Sequence, residues 1–194
     1  MSAGDLKSGL ARLVQDLARE PGPGTWTRAP LFELLGARCR RDEETHSNIL
    51  AWLLDPNGSH GLGAWFLTEL LSRVFVRDPG PLDHICVCRE VEEEPEKADV
   101  MVTTDSWRLV IENKIDGGED MDEAGRGQTE RYVERWPGSY CIYLTPHGGP
   151  AASKEFRPVH YRLVREILDN IDAPGAVGAF LHEFANHIAW DLEK

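Results

Sequence analysis

Residues 108–118 read RLVIENKIDGG, a short apolar run carrying Glu112 and Lys114 where a strand should be dry. Strand alternation points both charges to one face. The preceding run, KADVMVTT, holds Asp99. A turn centred on Asp105 and Ser106 would pair Val102 with Leu109, Val100 with Ile111 and Asp99 with Glu112. Carboxylates opposed across a ladder destabilise it unless a cation joins them; Lys114 is one cation and a bound divalent metal is a better one. Two hard oxygen ligands with room left for water and phosphate suit Mg²⁺ or Mn²⁺ more closely than Zn²⁺. Phosphodiester hydrolysis needs a water made nucleophilic near neutral pH and compensation for charge on the phosphoryl oxygens. A carboxylate-held metal beside an ammonium group supplies both. The same string also fits an ordinary surface hairpin in which Glu112 and Lys114 pair or face water. What separates the two readings is the company: Asp99 upstream, and a following helix on which Gln128 and Tyr132, four apart, share a face.

These side chains need a frame. DEETHSNILAWLLDP has acids in its first turn and a periodic apolar body, and LGAWFLTELLSRVF is apolar over most of its circumference, so both predict helices. HICVCREVEEE, KADVMVTT and RLVIENKI are three β-rich runs with short polar connections, predicting an antiparallel meander. GQTERYVERW returns to helix, SYCIYLTP reads as a buried strand, and FRPVHYRLV supplies an edge strand. REILDNI and AVGAFLHEFANHIAW close the chain as helices. Near the start, Leu6, Leu10, Leu13, Val14 and Leu17 recur at helical spacing until PGPG at 21–24, and Pro30 opens the apolar segment APLFELLGA. Between Lys114 and Gln128 the acidic, glycine-rich DGGEDMDEAGRG reads first as a flexible surface insertion; closure over the site, or an acidic stand-in that excludes nucleic acid, is the alternative.

As a set, Asp99, then Glu112-Asn113-Lys114, then Gln128-x-x-x-Tyr132 resembles the PD-(D/E)XK nuclease superfamily, and the Q-x-x-x-Y element resembles its RecB-like branch. EETHSNILAWLLDPNGSHG is similar to a group of prokaryotic PD-(D/E)XK proteins, so the resemblance spans roughly residues 40–146. Ala98 stands where the motif has Pro. The resemblance implies an α/β, restriction-endonuclease-like core with a mixed, mainly antiparallel central sheet flanked by helices. It also implies cleavage of DNA with Mg²⁺ or Mn²⁺, in defence against phage or mobile DNA. By motif, Asp99 and Glu112 would be metal ligands, with the Asn113 carbonyl and Glu44 joining them. Lys114 would orient or activate water, and Gln128 and Tyr132 would hold the substrate backbone or order the water on the metal. His46 lies two residues after Glu44, about 200° round a helix, so the two do not share a face. Glu44 is preferred as the ligand, and His46 as a helix-packing or phosphate-contacting residue.

The 194 residues, 41% of them hydrophobic, suffice for a core. They predict one domain over 1–194, with a helical segment over about 1–76 and the nuclease core over about 40–160. No apolar run of about 18 residues occurs and the first twenty are charged, so the expectation is a cytoplasmic protein without a membrane partner. Four cysteines at 39, 86, 88 and 141 form no C-x-x-C pair and read as packed reduced thiols rather than zinc ligands. A net charge of −12 argues against broad attraction for nucleic acid but allows a local basic groove. Arg38, Arg40 and Arg41 are one candidate cluster; Arg126, Arg131 and Arg135 are another, with Arg131 the candidate substrate contact. His60, His182 and His187 read as structural, and Trp52, Trp65 and Trp190 as core. No phosphate-binding glycine loop or nucleophile-elbow serine occurs. Beside the nuclease stands a nuclease-derived module that binds or assembles without cleaving, acting with a protein partner; self-association is a further expectation.

Overall fold

The computed structural model describes Phe32 and residues 41–76, 80–93 and 96–193. The helix expected over Leu6–Leu17, the Pro30 segment as a whole, Cys39, Arg38 and Arg40 lie outside them. Helix α1 (Glu43–Leu54) starts where Asp42 Oδ2 accepts Thr45 N at 3.0 Å, with Glu43 and Glu44 in the first turn. Both acids there complement the helix dipole. Helix α2 (Trp65–Val74) follows the turn Asp55–Leu62. In that turn His60 is buried, with Nε2 2.9 Å from Asp55 O and Nδ1 accepting Leu62 N. Gly58 is needed there, because a Cβ would lie 2.7 Å from the His60 ring and 2.9 Å from Trp52 O.

Strands β1 (Cys86–Glu93), β2 (Glu96–Thr103) and β3 (Arg108–Asn113) form the antiparallel meander. Helix α3 (Gln128–Arg135) crosses over to β4 (Tyr140–Thr145), parallel to β3, and β5 (Arg157–His160) adds in parallel at the edge. The sheet order is β1-β2-β3-β4-β5, a mixed sheet with helices on both faces. Helices α4 (Tyr161–Leu168) and α5 (Gly175–His187), then a π-helical turn (Ile188–Leu192), complete the chain.

One face of the sheet packs with α1, α2, α4 and α5 through Leu109, Ile111, Ile142 and Leu144. The other carries a smaller cluster of Met101, Val110, Tyr143, Tyr132 and Trp136 beneath α3. Val100 and Val102 belong to the first cluster, whereas Ala98 joins Met101 in the second, so alternation along β2 slips by one residue at Asp99. Opposite Asp99 the β1–β2 ladder is interrupted, and Glu90 takes a left-handed φ of 51°. Non-glycine residues adopt that conformation rarely, and such a slip re-aims a side chain.

The expected pairs Val102–Leu109 and Val100–Ile111 are present, but the ladder ends there and Asp99 caps it with a side-chain contact instead. The cysteines depart from expectation. Cys86 and Cys88 are exposed on the outer strand with Sγ atoms 3.6 Å apart, while Cys141 is buried. Among the described residues, no helix is long and apolar enough to cross a membrane.

Candidate active site

Alternation along β3 divides its last residues between the two faces. Leu109 and Ile111 enter the large cluster, so Asn113 follows them, while Glu112 shares the side of Val110 and Tyr132. Glu112 is fully buried, and neither of its carboxylate oxygens has a hydrogen-bond partner. Lys114 Nζ stands 3.3 Å from Glu112 Oε1, close enough for charge pairing. Burial, and after it the negative charge of Asp99, push Glu112 well above the usual carboxylate range, although Lys114 opposes them. Asp99 Oδ2 accepts the backbone N–H of Asn113 at 2.8 Å. Burial raises Asp99 as well, against the pull of that N–H and of Lys114. Lys114 is only 13% exposed; burial alone would lower it, but Glu112 and Glu43 outweigh burial and raise it. An ammonium among such neighbours keeps its proton across the neutral range.

The α1 acid beside Lys114 is Glu43, whereas Glu44, the expected ligand, lies on the exposed side of the helix. Glu43 Oε2 lies 3.6 Å from Lys114 Nζ, and Oε1 accepts Ile115 N at 3.0 Å. Glu44 faces solvent. The reason is helical phase: Glu43, Ser47, Leu50 and Leu54 fall on one stripe, and the last three are buried. That stripe was visible in the sequence. His46, the other expected residue of α1, lies in the core. It is fully buried, with Nδ1 2.7 Å from Asp42 O and Nε2 2.9 Å from His187 Nε2, which makes packing its role. His187 is equally buried, and His182 is exposed.

Helix α3 brings Gln128 and Tyr132 to the buried side of Glu112. Gln128 Nε2 donates to Tyr132 Oη at 2.6 Å, and the Tyr132 hydroxyl donates to the Lys97 carbonyl. Burial and the charge of Glu112 both raise the phenol. Gln128 Oε1 is a further buried oxygen without a hydrogen-bond partner. Arg131 is not a free cation for substrate: Nε donates to Glu96 Oε1 at 2.8 Å, and Nη1 to the Arg126 and Asp120 carbonyls. Arg126 pairs with Asp122 and Glu134, and Arg41 with Asp116. Among the described residues these clusters serve internal contacts.

The acidic loop is fastened rather than loose. Glu119 Oε2 accepts Thr129 N and Oγ1 at 2.8 and 2.7 Å, and Oε1 accepts Ala152 N at 2.6 Å. Asp122 Oδ1 accepts the N–H groups of Ala124 and Arg126. The flexible insertion expected from its composition is thus held by its own carboxylates.

Among the described residues, no three His, Cys, Asp or Glu side chains form a cluster that could hold a metal ion by themselves. A magnesium-type ion does not require three, since it binds through one or two carboxylates and keeps waters or phosphate for the rest. The two oxygens of buried Glu112, neither hydrogen-bonded and one charge-paired with Lys114, are beside Asp99 the hard donors such an ion takes. The donor set therefore fits.

A family model described as the PD-(D/E)XK nuclease superfamily matches residues 30–134, more than half of the chain. The protein belongs to the PD-(D/E)XK nuclease superfamily. The match covers α1, the β-meander and most of α3, hence Glu43, Asp99, Glu112, Lys114, Gln128 and Tyr132 together. The mixed five-stranded sheet is consistent with the restriction-endonuclease-like fold of that superfamily. Membership supports a nuclease-type function, and superfamily enzymes typically use divalent metals. No curated protein and no solved structure matches the chain.

Proposed function

We propose that the protein is a divalent-metal-dependent nuclease that hydrolyses phosphodiester bonds of DNA. The observation that carries this is Glu112: a carboxylate fully buried, with neither oxygen hydrogen-bonded, between Asp99 and a buried ammonium group. Folding leaves a buried acceptor unsatisfied at a cost of about 1–3 kcal/mol, and a bound cation would offset it. Asp99 and Glu112 would hold Mg²⁺ or Mn²⁺, with the Asn113 carbonyl as a further donor. Bound there, the ion compensates charge on the phosphoryl oxygens and lowers the pKa of water.

The chain's own residues supply the rest. Lys114, held protonated by its carboxylate neighbours, would donate to a phosphoryl oxygen or orient the attacking water; its raised pKa favours a donor over a base. Glu43 holds the exit of β3 and pairs with Lys114, keeping the ammonium near the phosphate. Gln128, with its unpartnered Oε1, would order water or contact the substrate backbone, and Tyr132 would fix Gln128.

Supercoiled plasmid, linear duplex and single-stranded DNA, incubated with Mg²⁺ or Mn²⁺, test the reading against Lys114→Ala and Glu112→Ala. Cleavage lost by at least about 100-fold in both variants is the expected result. No cutting of any substrate by the wild type would overturn the lone-enzyme reading for DNA. A role in defence against phage or mobile DNA extends the same reading and predicts that protection of a host, if present, is lost in Lys114→Ala.

A second reading has its own support. The net charge of −12 and the pinned acidic loop favour a nuclease-derived module that binds without cutting, working with a protein partner or a second copy. Calorimetric titration with Mn²⁺ separates the two: binding lost in Asp99→Ala favours the enzyme, and no binding by the intact protein favours the module.

A further inference from the structure

Asn113 contacts β2, α1 and α4 at once. It is fully buried, and strand alternation turns its side chain away from Glu112 and Lys114, toward α1 and α4. Nδ2 donates to Ser47 Oγ at 2.9 Å and to the Glu43 carbonyl at 3.3 Å. Oδ1 accepts the Tyr161 hydroxyl at 2.8 Å, and the backbone N–H donates to Asp99 Oδ2 at 2.8 Å. One residue thus ties β2, the N-terminal part of α1 and the start of α4 to the end of β3.

The chemistry of the contact is specific to an amide. Ser47 Oγ and the Glu43 carbonyl each take a donor while Tyr161 offers one, and the neutral amide of Asn or Gln supplies two donors and an acceptor from a single group. Aspartate would lose the donors and bring another carboxylate beside Glu43 and Asp99. Leucine would leave the Ser47 and Tyr161 hydroxyls without this partner, at about 1–3 kcal/mol for each group left unsatisfied.

We propose that the Asn113 side chain is a positioning residue that sets the first turn of α1 against the end of β3, so that Glu43 reaches Lys114 and the Asp99–Glu112 pair. This rests on the metal-nuclease reading above, and adds to it a buried support on the far side of the sheet. Asn113 acts through Glu43, not on the substrate. Residues that orient a metal centre from behind typically change its affinity 10–100-fold when removed.

The test is a double-mutant cycle in the full chain, read as Mn²⁺ affinity by calorimetry with thermal stability recorded alongside. Asn113→Leu is combined with Glu43→Gln. Tyr161→Phe and Ser47→Ala, each removing one hydroxyl, repeat the cycle in case Asn113→Leu does not fold. Each single change is expected to weaken Mn²⁺ binding by about 10-fold or more, and each pair to weaken it no further than Glu43→Gln alone. Additive losses would overturn the proposal, because a merely structural Asn113 acts independently of Glu43. If Glu43→Gln leaves Mn²⁺ affinity unchanged while Asp99→Ala abolishes it, the positioning proposal falls and the nuclease reading survives. If the wild type binds no Mn²⁺, both fall.

Discussion

His46 Nε2 and His187 Nε2 stand 2.9 Å apart inside the protein, so one ring donates to the other. His46 Nδ1 lies 2.7 Å from the Asp42 carbonyl, which can only accept, so that nitrogen carries a proton. His187 Nδ1 lies 3.1 Å from the Asp191 carboxylate, which also requires a donor. The proton between the two Nε2 atoms can then sit on either ring.

Burial disfavours the charged form of His46, lowering it below its ordinary value against the pull of the Asp42 carbonyl. A histidine depressed in the folded state contributes stability that is present above about pH 6.5 and lost as pH falls through the folded pKa. Urea unfolding between about pH 5 and about pH 8 should show that loss in the wild type and a smaller slope in His46→Gln. Equal slopes in the two proteins would rule out a neutral His46.

Glu43 and Glu44 differ only in helical phase, and function should separate them. Glu43→Gln is expected to weaken Mn²⁺ binding by about 10-fold or more. Glu44→Gln, on the solvent face, should stay within about twofold. Calorimetry on both variants decides it, and a larger loss in Glu44→Gln would count against the placement of α1.

Much of this arrangement was legible in the residues. The hairpin register, the strand identities and the E-x-K face followed from alternation and from a turn at Asp105–Ser106, because those rules are local. Matching Glu44 to the motif, with His46 as its one rival, leaves out the stripe through Ser47, Leu50 and Leu54 that places Glu43 beside Lys114. Arg131 looked like a free cation because its partner Glu96 is 35 residues away and meets it only when α3 packs on β2. The slip at Asp99 and the contact between Asn113 and Tyr161 are equally non-local. Neither leaves a periodic trace in the sequence.

The fastened loop offers a separate test. Glu119 satisfies Thr129 and Ala152 at once, so it joins the start of α3 to the segment before β5. Glu119→Ala should cost about 2 kcal/mol and speed amide exchange at Thr129 and Ala152. Exchange as slow as in the wild type would mean that other contacts hold the loop.

Glu112 should trade stability for metal binding. Its folded pKa is raised, first by burial and then by Asp99. A raised carboxyl contributes stability that is fully present below the unfolded value near 4.3 and lost as pH rises through the folded value. Without metal, Glu112→Gln should therefore be more stable than the wild type, by about 1–3 kcal/mol near pH 8, and the gap should close toward pH 4. Each kcal/mol corresponds to roughly 2–4 °C in Tm for a chain of this size. Asp99 is raised in the same sense, so Glu112→Gln should flatten the pH dependence without abolishing it. Saturating Mn²⁺ should invert the order near pH 8, because the ion stabilises only the protein that binds it. Thermal melts with and without Mn²⁺ at both ends of that range read the prediction directly. A metal-free Glu112→Gln that melts below the wild type near pH 8 would show that the Lys114 contact outweighs the burial of the charge, and the metal would then lose its strongest structural argument.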